Sequence, residues 1–235
     1  MSELIILMSR RFIRQAIERI YGARKLAASR ELKAINAYSI AGLSRLEKLY
    51  ELAEDTASRD VQGDFVECGV YNGGSAAAVS CAFRESERRS WLFDSFAGMP
   101  QISETDGPDA ENFVGKCVGS EEQVHLAMRL ARFPMDRYVI RRGWFEETFA
   151  AGPMPEAVAF LHIDADWYES VLLALDTFYD LMPDGGVIVL DDFGYWEGCR
   201  EAFYDFIDGR KIKPLLERFE STQAFWIKNR QHNRR

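Results

Sequence analysis

Cysteine and histidine are scarce in this chain of 235 residues. The four cysteines show no C-x-x-C spacing, and the three histidines form no cluster with them. The sequence therefore gives no support for a zinc site, and it predicts buried, reduced cysteines rather than a disulfide framework. A G-x-S-x-G motif, which carries the nucleophile of many serine hydrolases, is also absent.

Long apolar runs and a positive net charge are absent as well. No stretch approaches the ~20 apolar residues of a membrane-spanning helix, so no membrane span is predicted. The formal net charge is −8, whereas nucleic-acid binding needs a basic surface, so we expect no nucleic-acid partner. The first apolar residues precede Arg10 and Arg11, the reverse of the order in a signal peptide. We therefore expect a cytoplasmic protein.

Hydrophobic periodicity changes at about residue 60. Residues 9 to about 60 have helical patterning, and strands alternate with helices from residue 63 onward. Apolar runs mark five strands, at 63–70, 90–94, 138–140, 158–163 and 187–190. Helices are predicted at about 75–86, 120–132, 168–182 and 197–209, and two closing strands near 214–219 and 224–228. The pattern predicts an α/β fold with a helical extension (1–60) and a domain (61–235) around a mostly parallel seven-stranded sheet.

A glycine-rich turn follows the first predicted strand, in Glu67-Cys68-Gly69-Val70-Tyr71-Asn72-Gly73-Gly74-Ser75. Such a turn lets backbone N–H groups at a helix start approach a charged ligand. Tyr71 breaks the G-x-G-x-x-G pattern of dinucleotide-binding proteins. The pattern E-x-G-x-x-x-G-x-S instead resembles the first motif of methyltransferases that use S-adenosylmethionine (SAM). An ordinary strand–helix turn is the alternative interpretation of this motif alone.

Asp94 strengthens the cofactor interpretation because it ends the second predicted strand. An aspartate taken alone is more often a helix cap or a turn residue. In doubly wound folds, however, an acid at the end of the second strand accepts hydrogen bonds from ribose hydroxyls, and the position of Asp94 after the glycine turn favours that role. Residues 98–119, which follow closely, are rich in Pro, Gly, Asp, Glu and Ser and show little periodicity. A loop of this length in a compact domain is often a lid, so we predict a lid over the cofactor.

Two pairs of acids end two further predicted strands. Asp164 and Asp166 follow the run at 158–163, and Asp191 and Asp192 follow the next one. Ligands bind at this edge of open α/β sheets, and converging carboxylates repel one another unless a cation or proton lies between them. Mg²⁺, held by carboxylates, waters and a substrate oxygen, is the simplest solution. The alternative is that each acid separately caps a helix.

Seven blocks in order along the chain resemble the macrocin O-methyltransferase family, metal-dependent enzymes that include methyltransferases of macrolide and aminocoumarin sugars. The blocks are Ile40–Leu46, Val66–Ser75, Asp94–Pro100, Gly143–Thr148, His162–Ser170, Asp191–Gly194 and Gly198–Ala202. The resemblance implies a Rossmann-like class I methyltransferase fold, SAM as methyl donor, and a Mg²⁺ or Mn²⁺ ion.

The resemblance also implies roles for individual residues. The methionine end of SAM would be lined by Glu67, Gly69, Asn72 and Ser75. Asp94, with Ser95 beside it, would hold the ribose, and the adenine would be bordered by Gly143 and Trp144. The metal ligands would be Asp164, Asp191 and Asp192.

Two departures from the family leave the proton acceptor open. Some macrolide enzymes use a histidine from the lid as base, but residues 98–119 contain no histidine. Related catechol methyltransferases place a lysine three residues after the first metal aspartate, where this chain has Trp167. We therefore predict Asp166, or a metal-bound carboxylate such as Asp164, as the proton acceptor.

These observations predict a SAM- and metal-dependent O-methyltransferase that acts on a sugar hydroxyl of a small glycosylated natural product. One alternative is a SAM-binding accessory protein of polysaccharide or antibiotic biosynthesis without turnover, and another is a metal-dependent hydrolase. The intact acidic set argues against the first, and the glycine turn followed by Asp94 argues against the second. The surplus of apolar positions in residues 9–60 further predicts a homodimer.

Overall fold

The computed structural model describes residues 26–230, so the predicted helical patterning over residues 9–25 lies outside it. Residues 26–35 are helical (α1), and α2 (Leu43–Ser58) follows. Three leucines at helical spacing form the buried face of α2, where they pack near α3 (Gly74–Ala82): Leu46, Leu49 and Leu52. Among the helices of the described range, none is long and apolar enough to cross a membrane.

Within residues 26–230, seven strands form a single sheet. They are β1 (Asp64–Cys68), β2 (Ser90–Asp94), β3 (Tyr138–Arg142), β4 (Val158–Ile163), β5 (Val187–Leu190), β6 (Glu217–Phe219) and β7 (Gln223–Ile227). Their order is β3-β2-β1-β4-β5-β7-β6, in which the first five pair in parallel and β7 and β6 close the sheet antiparallel. The predicted Rossmann-like, mostly parallel seven-stranded sheet is confirmed, including its closing hairpin.

Helices cover both faces of the sheet, which buries β1, β4 and β5 almost completely. The remaining helices are α4 (Glu121–Leu130), α5 (Phe145–Thr148), α6 (Tyr168–Phe178) and α7 (Glu197–Gly209). One hydrophobic core joins α2, α3 and α4 to one face, and a second core joins α6 and α7 to the other. Burial on both faces explains why the strands are continuous apolar runs in the sequence.

The register of the sheet brings four strand ends to one edge. Cys68 is paired with Phe93 and Ile163, and Ile163 is paired with Leu190. The residues at or just beyond these ends therefore meet at the carboxyl edge of the sheet: Gly69, Asp94, Asp164 and Asp191.

The segment 98–119, predicted as a lid without regular structure, contains two short 3₁₀ helices, Glu104–Asp106 and Pro108–Phe113. Ser103 caps the first of them. The ends of the loop are joined where the Met99 N–H donates to the Lys116 carbonyl at 2.9 Å and the Gly115 N–H donates to the Met99 carbonyl at 2.9 Å. The segment therefore forms a closed loop over the carboxyl edge of the sheet.

Candidate active site

A cavity of about 360 Å³ opens at the carboxyl edge of the sheet. Ten of the twelve site residues predicted from the sequence line its wall: Gly69, Ser75, Asp94, Ser95, Gly143, Trp144, Asp164, Asp166, Asp191 and Asp192. Glu67 and Asn72 lie outside the wall that the described residues form. The cavity thus brings the glycine turn and the acidic strand ends into one site.

Two glycines shape the turn after β1. Gly69 has a φ of +88°, and a Cβ there would lie 1.8 Å from the carbonyl oxygen of Asp164. Gly73 has a φ of +85° and a Cβ there would lie 2.9 Å from the Cα of Val124. Glycine is required at both places because other residues would be strained and would clash with backbone. The ends of β1 and β4 can therefore approach closely, so that the turn adjoins the acids.

Asp94 holds the glycine turn in place. Its Oδ2 accepts the N–H groups of Val70 at 2.7 Å and Tyr71 at 2.8 Å, and its Oδ1 accepts the N–H of Phe96 at 2.6 Å. A carboxylate oxygen can accept more than one hydrogen bond, so Asp94 retains acceptor capacity toward the cavity. The structure therefore adds a second role, support of the turn, to the predicted ribose contact.

Glu67 and Asn72 make contacts behind the turn. Glu67 is fully buried, and its Oε1 is 2.7 Å from Nδ1 of His162. Burial raises the pKa of Glu67, an effect that His162 only partly offsets. Asn72 accepts the N–H of Ser120 at 3.1 Å, which joins the turn to the start of α4. Both residues support the turn from outside the cavity.

Three carboxylates converge closely enough to hold a metal ion. Candidate ligand oxygens of Asp164, Asp166 and Asp192 all lie within 4.8 Å of one another. Burial and repulsion by neighbouring carboxylates raise the pKa of Asp164 and Asp192 well above the usual range. Oδ2 of Asp192 is buried without a hydrogen-bond partner among the described residues. A cation would relieve the repulsion and give this oxygen a partner.

Asp166 is held in an unusual conformation. Its φ is +57°, in the left-handed region that residues other than glycine seldom occupy. The indole N–H of Trp196 donates to its Oδ1 at 2.7 Å. Burial raises the pKa of Asp166 to about 6, with Trp196 acting in the opposite direction. The side chain is therefore fixed in the cavity wall and lies next to the other two acids.

Asp191 differs from the other strand-end acids because other side chains already engage it. Arg45 of α2 forms an ion pair with Oδ2, and the amide of Gln223 donates to Oδ1 at 2.8 Å. Burial alone would raise the pKa of Asp191, but His162, Arg45 and Gln223 together lower it. Arg45 belongs to the matching block Ile40–Leu46, whereas Gln223 of β7 lies outside every matching block. The contacts of Arg45 and Gln223 with Asp191 have no local sequence signal, because they join residues far apart in the chain.

His162 of β4 is fully buried and lies between two acids. Besides the contact to Glu67, its Nε2 lies 3.5 Å from Oδ1 of Asp191. Burial disfavours the charged imidazole, but the nearby carboxylates of Asp191 and Glu67 outweigh it and raise the pKa of His162 to about 10. His162 therefore connects Glu67 of β1 with Asp191, which directly follows β5.

Comparison with known proteins identifies the family to which this site belongs. The sequence profile of the macrocin-O-methyltransferase (TylF) family matches residues 4–228. The chain is a member of the macrocin-O-methyltransferase family. It is 31% identical over 198 residues to 8-demethyl-8-(2,3-dimethoxy-alpha-L-rhamnosyl)-tetracenomycin-C 4'-O-methyltransferase of Streptomyces olivaceus, covering 81% of this chain and 75% of that protein.

Two further comparisons agree with this assignment. Demethyldecarbamoylnovobiocin O-methyltransferase of Streptomyces niveus is 28% identical over 204 residues, which cover 83% of this chain and 77% of that protein. The solved structure of the O-methyltransferase NovP superposes with a TM-score of 0.73 at 27% identity, covering 82% of this chain and 83% of that one. The fold and cavity described above are therefore those of a macrocin-O-methyltransferase family member.

The structure also locates one of the departures of this chain from its family. Trp167, which stands at the lysine position of the related catechol enzymes, is almost fully buried and donates its indole N–H to the Pro100 carbonyl at 3.2 Å. It therefore supports the segment 98–119.

The cavity mouth of this family member carries apolar side chains that the sequence analysis did not single out. Ile40 is 67% exposed and Tyr195 is 58% exposed, and both line the cavity. Trp144, predicted to border adenine, is 38% exposed at the same wall. Exposure of large apolar side chains at a cavity is typical of ligand binding.

Proposed function

We propose that this protein transfers the methyl group of SAM to a sugar hydroxyl of a small glycosylated natural product. Its relatives are named as O-methyltransferases of tetracenomycin and novobiocin intermediates. The observation that carries the proposal is that the turn expected for SAM and a cluster of acids line the same cavity. Adjacency matters because methyl transfer needs the donor methyl and the acceptor oxygen in line at close range.

The glycine-turn side of the cavity is the proposed SAM site. Gly69 and Ser75 would face the methionine portion, with Glu67 and Asn72 supporting the turn from behind. Asp94 and Ser95 would hold the ribose, and Gly143 and Trp144 would border the adenine. The first N–H groups of a helix have no partner within the helix, so those at the start of α3 suit a carboxylate, as in other anion sites at helix N-termini.

The acidic side of the cavity is the proposed site of a Mg²⁺ or Mn²⁺ ion. The donor set fits, because carboxylate oxygens are the preferred ligands and Asp192 has an unpartnered buried oxygen. We propose Asp164 and Asp192 as ligands; Mg²⁺ commonly uses one or two carboxylates and completes its shell with waters and substrate. When bound, such an ion lowers the pKa of a coordinated hydroxyl and orients it.

Asp191 remains a predicted third ligand, but only if one of its oxygens becomes available to the ion. Both of its oxygens already accept bonds, from Arg45 and Gln223. To bind an ion, Asp191 would have to share or exchange one of these partners. We therefore place Asp191 after Asp164 and Asp192 as a ligand, and we assign it a supporting role through its ion pair with Arg45.

Asp166 is the proposed proton acceptor. Trp196 holds one of its oxygens, which leaves the other available to the acceptor hydroxyl. Candidate oxygens of Asp166, Asp164 and Asp192 lie within 4.8 Å of one another, so Asp166 is close to a hydroxyl that would be bound to an ion on those two ligands. The side chains at the cavity mouth, Ile40 and Tyr195, would contact the apolar part of the acceptor.

A transfer assay with labelled SAM and a panel of glycosylated natural products, each compared with its sugar-free core, tests the proposed function. Methylation of a glycoside but not of its core is the expected result. Binding of SAM without transfer to any glycoside would favour the accessory-protein alternative. Hydrolysis of a substrate without SAM binding would favour the hydrolase.

Replacing Asp94 by alanine is expected to weaken SAM binding by about 1.5–3 kcal/mol, the usual range for hydrogen bonds to a charged group. The ribose contact is lost, and the N–H groups of Val70 and Tyr71 lose their common acceptor. Isothermal titration with SAM measures the effect. Asp136→Ala, at an exposed acid just before β3 and at the opposite edge of the sheet, is the control. Unchanged SAM affinity in Asp94→Ala would contradict the ribose assignment.

We also propose a cytoplasmic homodimer in which the N-terminal helices, residues 9–60, contribute to the interface. The surplus apolar positions of this region support it, and two-fold dimers are the commonest assemblies of such proteins. All four cysteines are free, which fits a reducing compartment, although Cys117 is exposed and not buried as predicted. Light scattering at micromolar concentration is expected to give twice the chain mass of 26.9 kDa. A mass equal to that of one chain would contradict the dimer.

A further inference from the structure

Asp106 is a buried carboxylate in the segment 98–119, and only 2% of it is exposed. Its Oδ1 accepts the N–H of Tyr168 at 2.7 Å. Its Oδ2 accepts the N–H of Ser103 at 2.7 Å and the hydroxyl of the same residue at 2.8 Å. A buried carboxylate is costly unless its oxygens are hydrogen-bonded, and these bonds meet that need. They also fasten the segment to the first turn of α6.

Helix α7 leaves space for this carboxylate. A Cβ at Gly198 would lie 1.9 Å from Oδ1 of Asp106 and 2.9 Å from the backbone nitrogen of Tyr168. Any side chain at position 198 would therefore displace Asp106 or the start of α6. Glycine at position 198 therefore allows the segment 98–119, α6 and α7 to meet at this place.

Tyr168, which Asp106 binds, comes two residues after Asp166, the proposed proton acceptor. In the run from Asp166 to Tyr168, each residue has a partner outside the run. Asp166 is bonded by the indole of Trp196, Trp167 donates to the Pro100 carbonyl, and the Tyr168 N–H donates to Asp106. The left-handed backbone of Asp166 is unfavourable by itself, so surrounding contacts must maintain it.

A second set of contacts joins the segment to Asp166. The ring of Phe113, from the segment, packs edge-on against Trp196 with centroids 5.0 Å apart. Trp196 in turn packs against Trp167 at 4.9 Å. The segment therefore touches both the indole that bonds Asp166 and the backbone that follows Asp166.

We propose that Asp106 is a positioning residue for the transfer reaction. By fastening the segment 98–119 to α6 and α7, it holds Asp166 in the orientation that accepts the proton. The proposal rests on the proposed function for the role of Asp166, and it adds that closure of the segment and alignment of Asp166 are one event. Water is then excluded from the cavity in the same arrangement that completes the catalytic group.

Asp106→Asn tests the proposal with little change in shape. The amide nitrogen cannot accept a hydrogen bond, so at least one of the bonds to Tyr168 or Ser103 is lost. We expect kcat to fall by roughly 10–100-fold, as for a small displacement of a reacting group. The affinity for SAM should remain near wild type, because the proposed SAM contacts lie elsewhere. Asp109→Asn, at an exposed acid of the same segment, should keep the wild-type rate.

Indole ¹⁵N–¹H resonances provide a readout that does not depend on turnover. The chain has five tryptophans, and Trp167→Phe and Trp196→Phe assign the two relevant signals. In Asp106→Asn both resonances should move toward the position of an indole without a hydrogen bond, while in Asp109→Asn neither should move.

The two readouts separate the positioning role from the proposed function. If the wild-type chain methylates no acceptor, the proposed function fails, and the indole shifts still decide whether Asp106 aligns the partner of Asp166. Unmoved indole resonances in a folded Asp106→Asn variant would overturn the positioning role. A wild-type kcat in that variant would overturn it equally.

Discussion

Chelation of divalent metal is expected to abolish methyl transfer and to leave SAM binding intact. Asp164 and Asp192 are strand-end acids with candidate ligand oxygens within 4.8 Å of each other, and Oδ2 of Asp192 is buried without a hydrogen-bond partner among the described residues. The proposed SAM contacts belong to other residues. Since a catalytic metal contributes several kcal/mol of charge stabilisation, its removal should lower the rate by roughly a hundred-fold or more. Added Mg²⁺ or Mn²⁺ should restore it.

Asp164→Asn and Asp192→Asn should reproduce this loss without chelator. Direct titration of the protein with Mn²⁺ provides a readout besides activity, and both variants should lose affinity for the ion. Asp208→Asn, at an exposed acid of α7 for which no side-chain contact is described, is the matched control. Asp191→Asn belongs in the same series, because Mn²⁺ affinity near wild type would support the role through Arg45 over direct ligation. Full activity of the wild-type protein after chelation would contradict the proposed metal dependence of methyl transfer.

Asp166→Asn is expected to lower kcat by about 10²–10⁴-fold, the range that general base catalysis contributes. The amide keeps the shape of the side chain and can still accept the bond from Trp196, so the loss would report the missing base. SAM affinity should be unchanged in isothermal titration, and the rate can be followed with labelled SAM and any accepted glycoside.

The control for this variant is Asp205→Asn, an exposed acid of α7 that accepts the Tyr168 hydroxyl at 2.8 Å outside the cavity. It changes the same functional group near the same loop without touching the proposed base. If Asp166→Asn kept a wild-type kcat, the proton acceptor would have to be sought among the other cavity groups.

The fold followed from hydrophobic periodicity because strands buried on both faces leave continuous apolar runs. β1, β4 and β5 end within two residues of their predicted ends, and α7 matches its predicted range. β3 continues through the polar Arg141 and Arg142, which the apolar run at 138–140 did not include. The single turn α5 and the 3₁₀ helices of segment 98–119 are too short to produce a period. These elements depend on tertiary contacts and were therefore missed.

The site was predictable where a simple topological rule applied. Acids at the carboxyl ends of parallel strands meet at one edge, so Asp94, Asp164 and Asp192 could be grouped from the sequence. The spacing of residues does not encode which side of a turn faces the cavity. For this reason the sequence could not show that Asn72 lies outside the cavity wall. The contact of Arg45 with Asp191 joins positions 146 residues apart, and no local pattern reports it.

Isothermal titration of SAM into metal-free wild-type protein decides whether the cavity at the carboxyl edge is a SAM site beside a separate metal site. We expect saturable binding of one SAM per chain, with the same affinity before and after Mg²⁺ is added. Absence of SAM binding, or binding that appears only when the metal is present, would contradict it.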